Sequence, residues 1–202
     1  KIKNIGDYAF YNCKNIRSVE LSSVLLKIGA YAFYGCESLM ETDIPEAVYI
    51  ISEKAFYGCG ELRSIVIPEA VTTLGNGIFT GCSGLEVVEV KGSITAIPDS
   101  MFADCENLVT FESAKNIKNI GEKSFYNCKS LASFEGFYVR TMGKNAFALC
   151  ESLIEIRIKS IDELPASAFR GCKNLSDIAL SSSLEIIGTA AFLGCTSLKS
   201  IV

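Results

Sequence analysis

The 202-residue chain contains neither histidine nor tryptophan. Histidine has the side-chain pKa nearest neutrality and is the commonest metal ligand, so its absence counts against acid–base and metal-centred catalysis. Basic residues are outnumbered, 19 Lys and Arg against 23 Asp and Glu, and a net charge of −4 leaves no basic stripe for nucleic acid. No apolar run approaches the ~20 residues of a membrane span. The opening "KIKNIGDYAF" has no apolar signal core and no small-residue cleavage site. Zinc-type clustering is missing too. No two cysteines lie closer than 22 residues, whereas zinc ligands come in close pairs.

What the chain has instead is a lattice. Cys13, Cys36, Cys59, Cys82, Cys105, Cys128, Cys150, Cys172 and Cys195 recur every 22 or 23 residues. A phenylalanine stands three places before each, from Phe10 to Phe192, and Ile or Leu three places after, from Ile16 to Leu198. Self-similarity at a fixed period of this length is the mark of a solenoid. After each Leu the pattern alternates, as in "LRSIVIP" (62–68) and "LIEIRI" (153–158), which predicts a short strand. A turn follows, with proline at Pro45 and Pro68, and then a recurring pair such as Ile28-Gly29 or Ile120-Gly121. The stretch from there to the cysteine, as in "GDYAFYNC" (6–13), predicts a 3₁₀ or single helical turn. One strand per coil, always in one direction, builds a parallel sheet ~40 Å long over nine coils. No coil buries its apolar residues alone, so each depends on its neighbours. The cysteines fit best as small buried residues with weak thiol donors, filling one column of the core.

The unit at 59–81, with "AFYGCESL" (32–39) and "AFRGCKNL" (168–175), resembles the leucine-rich repeat of the BspA-like, or Treponema pallidum, type. That resemblance implies an α/β solenoid: a curved right-handed coil with a parallel β-sheet on the concave face and short helical or 3₁₀ turns on the convex side. It covers residues 1–202 as one solenoid of about nine repeats. The chain starts inside one unit and ends inside the strand of another, "LKSIV" (198–202), without polar caps, the pattern of a segment of a longer protein. Departures carry information. Ser52, Pro98 and Pro165 replace the glycine of the Ile-Gly pair, and Ile78, Met101 and Ser124 replace the alanine before phenylalanine. Ser113 and Gly136 take the last inward strand position, two residues after Phe111 and Phe134, which predicts large-beside-small compensation. The units at 128–150 and 150–172 are one residue shorter, which predicts altered curvature near 130–170.

The resemblance further implies a non-catalytic protein–protein interaction module of a bacterial cell-surface or secreted protein, with adhesion or host and matrix binding as its role. An intracellular scaffold and a carbohydrate-binding surface are the alternatives. No cofactor, metal or nucleic acid is expected, and the partner is a protein. Alternation places one residue of each strand outward between the last two core positions. That column includes Glu20, Asp43, Glu89, Glu112, Glu135 and Arg157, with Glu89, Glu112 and Glu135 consecutive. These six are the candidate partner-binding residues of the concave face. The carboxylates serve either a basic partner or simple solubility. The tyrosines beside the Phe–Cys turns, Tyr8, Tyr11, Tyr31, Tyr34, Tyr57 and Tyr126, form a second candidate patch or a shield for the turn.

Overall fold

The computed structural model describes residues 1–113, 117–136 and 138–201. Strands form where the sequence alternates or reaches the Ile-Gly pair. In chain order they are β1 (Asn4–Ile5), β2 (Lys27–Ile28), β3 (Ile50–Ile51), β4 (Ser64–Ile67), β5 (Thr73–Leu74), β6 (Val87–Val90) and β7 (Ala96–Ile97). There follow β8 (Thr110–Ser113), β9 (Asn119–Ile120), β10 (Ser133–Gly136), β11 (Thr141–Met142), β12 (Glu155–Ile158), β13 (Glu163–Leu164), β14 (Asp177–Ala179) and β15 (Ile186–Ile187). All pairings are parallel and in register, one coil onto the next. The expected parallel solenoid is present. It has two strand strips: a long-strand sheet (β4-β6-β8 and β10-β12-β14) and a short-strand strip at the Ile-Gly pairs.

The predicted helical or 3₁₀ turns are not there. Every coil instead places two residues at positive φ, two before and two after its phenylalanine, beginning with Tyr8 (59°) and Asn12 (57°) and ending with Ala190 (57°) and Gly194 (82°). Left-handed residues reverse the peptide direction, so successive amides cannot all point along one helix axis. Alternate amides bond locally, as Tyr11 N–H to the Tyr8 carbonyl (3.1 Å) and Cys13 N–H to the Phe10 carbonyl (3.1 Å). The others reach the next coil: Tyr8 N–H to Ala30 O (2.9 Å), Phe10 N–H to Ala32 O (2.7 Å) and Asn12 N–H to Tyr34 O (2.7 Å). The same three bonds recur at every junction, as far as Ser167, Phe169 and Gly171.

This turn ladder runs unbroken, and the strand strips do not. In the short-strand strip the residue after Ile or Leu donates its N–H backward, as Gly75 does to Ile51 O (2.9 Å) and Gly121 to Ile97 O (2.8 Å). Ser52 keeps that donor, to Ile28 O at 3.0 Å, and the strip passes through it. Proline has no N–H. At Pro98 the strip stops between β5 and β7, and at Pro165 between β11 and β13. The long-strand sheet begins at β4, the first two coils making only a Ser18–Glu41 bridge in its place, and it is interrupted between β8 and β10, where Phe111 and Phe134 stand in place of Ile or Val. Phe134 packs on Phe125 (5.5 Å) and Phe147 (5.0 Å), and Phe111 on Phe102 (5.5 Å) and Phe125 (5.3 Å), so the extra rings are accommodated by wedging into the core. The compensation read from the sequence is visible at Gly136: a Cβ there would come within 2.9 Å of the Phe134 ring and 2.6 Å of Val139.

The core between the strips is a set of columns. Phe10 to Phe192 form one continuous stack, with ring centroids 5.0 to 5.8 Å apart and planes within 23° of parallel. Phe33 to Phe169 are fully buried, each contributing on the order of 1.5–3 kcal/mol. Coils approach so closely that some positions admit no side chain: a Cβ on Gly75 would lie 2.2 Å from the Glu53 backbone nitrogen.

Two substitutions separate these constraints. Ser124 is fully buried and its Oγ has no hydrogen-bond partner among the described residues. Ser124→Ala restores the repeat's alanine and is expected to raise stability by about 1 kcal/mol, seen as a later urea midpoint. Gly75→Ala is expected to lower it by about 2–3 kcal/mol. Equal midpoints for the two variants would contradict this packing.

Candidate interaction surfaces

The long-strand sheet turns alternate side chains outward, and parallel register lines them up across coils. Val66, Glu89 and Glu112 are direct neighbours on β4, β6 and β8, and Ser64, Val87 and Thr110 form the adjacent row. Glu135 lies on β10, beyond the interruption, and its register partner is Arg157, followed by Ala179. Arg157 is itself paired with Glu155 and Asp177 (3.4 Å to the latter). Glu20 and Asp43 are exposed and line a separate cleft of about 510 Å³ with Glu41. The six candidate residues thus fall into three groups: Glu20 with Asp43, Glu89 with Glu112, and Glu135 with Arg157.

The same face carries apolar side chains that the charge columns hid, Val66 and Val87, and just ahead of β8 and β12 Val109 and Ile154 are exposed as well, at 53% and 52%. Val66 and Val87 are legible in the alternating pattern as outward residues. Val109 and Ile154 are not, because they precede the strands and their direction depends on the turn.

The tyrosines are more ordered than a shield requires. Tyr8 stacks on Tyr31 (4.9 Å, 4°), and Tyr11 on Tyr34 (4.9 Å) on Tyr57 (4.5 Å, 6°), making two parallel columns. Tyr126 stands alone among the six, since Thr80 and Ala103 take the intervening positions of its column. Along the turn edge a charged row alternates in sign, with Lys14–Glu37 at 2.7 Å, Glu106–Lys129 at 2.9 Å and Glu151–Lys173 at 2.8 Å. Lys173 beside Glu151 holds that carboxyl below its ordinary pKa.

All nine cysteines are free thiols, and Cys36 to Cys172 are buried. Each thiol after the first donates to the phenylalanine carbonyl of the preceding coil. Cys36 reaches Phe10 O at 3.2 Å, Cys105 reaches Phe79 O at 3.1 Å and Cys195 reaches Phe169 O at 3.0 Å. That carbonyl also accepts the local cysteine N–H, so both lone pairs are used. The thiol is therefore a small core residue with a weak donor, and the donor closes the turn. Burial pushes the Cys36 and Cys150 thiols up to about 12, and those of Cys105 and Cys128 upward as well. Among the described residues no group of three His, Cys, Asp or Glu side chains is placed to hold a metal ion. No helix among them is long and apolar enough to cross a membrane.

A parallel β-solenoid whose coils stack short strands in register is the architecture of a repeat protein of the leucine-rich class. The family model of the BspA-type leucine-rich repeat region matches residues 3–132 and 111–202, and the chain belongs to that family. No curated protein matches it. Among solved structures it is similar to the Treponema pallidum leucine-rich repeat protein, with 25% identity over 98% of this chain and 83% of that one, TM-score 0.61. It is similar to a leucine-rich cell surface protein from Faecalibacterium prausnitzii, with 27% identity over 99% of this chain and 76% of that one, TM-score 0.51. The pneumococcal vaccine antigen PcpA shares the fold, with 23% identity over 99% of this chain and 53% of that one, TM-score 0.67. These matches establish a repeat fold of the protein-interaction type.

The cysteine column makes a pH prediction. A thiol whose pKa is raised on folding stabilises the fold fully below its unfolded value near 9, and that contribution is lost as pH rises toward 12. The urea midpoint is expected to fall between pH 9 and 12. At pH 8 iodoacetamide is expected to alkylate half-buried Cys13 and Cys195 while Cys36 to Cys172 react only on unfolding, as read by peptide mass spectrometry. Uniform labelling of all nine in the native state would contradict the assignment.

Proposed function

We propose that the chain is a non-catalytic protein-interaction module of a bacterial cell-surface or secreted protein, and that it binds its partner on the outward face of the long-strand sheet. The observation that carries this reading is the chemistry of that face: Val66 and Val87 exposed on neighbouring strands and Val109 exposed just ahead of β8, with Glu89 and Glu112 side by side among them. Exposed apolar side chains clustered on a sheet and rimmed by charge are the mark of a protein-binding surface. The partner's matching surface is apolar at its centre and basic at its rim, where it relieves the repulsion between the paired carboxylates. Family membership supports the interaction role, and the F. prausnitzii cell surface protein supports the location. Host surface and matrix proteins are the expected partner class, which makes adhesion the expected outcome.

The test is capture of host surface and matrix proteins by the chain, followed by affinity measurement for each captured protein. Val87→Asp with Val109→Asp is expected to weaken binding tenfold or more, the effect of disrupting an interface centre. Glu89→Gln with Glu112→Gln is expected to slow association and flatten its salt dependence. Unchanged affinity for both double variants would place the interface elsewhere.

A further inference from the structure

The two tyrosine columns enclose a cleft of about 290 Å³ lined by Tyr8, Tyr11, Tyr31, Tyr34, Tyr57 and Lys54. The columns stand 5.6 Å apart at Tyr8–Tyr11 and 5.8 Å apart at Tyr31–Tyr34. It is more than a cover for the turn requires: the stacking covers the ring faces between rungs, and the tyrosine edges and hydroxyls line the cleft.

That arrangement selects a ligand. Aromatic rims are the positive part of the ring quadrupole, and phenol hydroxyls donate readily. Lys54 adds an ammonium at one end, 5.4 Å above the Tyr31 ring and 3.4 Å from its hydroxyl. The complement is a chain rich in acceptors and poor in donors, with compact apolar rings to lie along the edges of the columns. Proline-rich sequence in the polyproline II conformation has these properties, because its carbonyls are free and its prolines carry no N–H. The periods agree as well. Two rungs of the Tyr11–Tyr34–Tyr57 column, 4.9 and 4.5 Å, span about 9 Å, as does one turn of polyproline II at three residues of 3.1 Å. Lys54 reaches Glu53 and the Tyr31 hydroxyl at a long 3.4 Å each, and an acidic residue at that end of the ligand would compete with Glu53 for its ammonium.

We propose that this groove binds proline-rich segments bearing an acidic residue, as a second site separate from the sheet face. The probe is a fluorescein-labelled peptide of ten prolines followed by two aspartates, titrated by anisotropy against the whole chain. Saturable binding is expected, with a ten-proline peptide ending in two lysines and a glycine–serine peptide ending in two aspartates each about tenfold weaker. Tyr11→Phe/Tyr34→Phe/Tyr57→Phe keeps the stacked rings and removes three hydroxyls. It is expected to bind about tenfold more weakly, the effect of losing three modest hydrogen bonds, at an unchanged thermal midpoint. Lys54→Met should erase the preference for the acidic end. Glu89→Gln/Glu112→Gln should bind the peptide as the parent does, so failure here and failure of the sheet-face interface are told apart. Absence of saturable binding, equal binding of the glycine–serine peptide, or an unaffected triple tyrosine variant would overturn the proposal.

Discussion

Three backbone hydrogen bonds at every coil junction, made around the phenylalanine of the Phe–Cys turn, are what the rest of the molecule depends on. Amides two before, at and two after each phenylalanine donate to the next coil, from Tyr8, Phe10 and Asn12 to Ser167, Phe169 and Gly171. At about 1 kcal/mol each they contribute a few kcal/mol per junction. The thiol of the following cysteine adds a fourth contact by closing the remaining lone pair of the phenylalanine carbonyl. Below this ladder the phenylalanine rings stack without a break, so backbone bonding and apolar burial coincide in one column.

Because the turns carry continuity, the strands are free to vary. Pro98 and Pro165 remove a donor from the short-strand strip, and Phe111 with Phe134 parts the long-strand sheet, yet no coil detaches. The interruption between β8 and β10 also divides the outward face electrostatically. On one side Glu89 and Glu112 stand together beside exposed valines, and on the other Glu135 faces Arg157 in register. The outward face is thus two chemically distinct half-faces, with the adjacent carboxylate pair on the first.

The solenoid was legible in the sequence because its period is written in phenylalanine, cysteine and leucine, and because alternation in "LRSIVIP" and "LIEIRI" can only be a strand there. The positions of both proline interruptions were legible too, as departures from glycine, although their consequence needed the donor role of Gly75 and Gly121 to be seen. The turn conformation was not. "GDYAFYNC" has the composition of a short helical turn, and its pairs of left-handed residues are imposed by bonds to the next coil, which no local pattern records. Register within the repeat makes Glu89, Glu112 and Glu135 consecutive, but it does not record that strand pairing stops between β8 and β10, where the rings of Phe111 and Phe134 enter the core. The outward direction of Val109 and Ile154, and the stacking of the tyrosines, likewise depend on packing between coils.

The measurement that bears most directly on this account is native-state hydrogen exchange, resolved by residue. If the turn ladder holds the coils together, the amides of Phe33, Phe56, Phe79, Phe102, Phe125 and Phe147 exchange as slowly as those within β6 and β12, including across the junctions at Pro98 and between β8 and β10. Exchange of those six amides at the rate of an unstructured peptide, with protection confined to the strands, would contradict it.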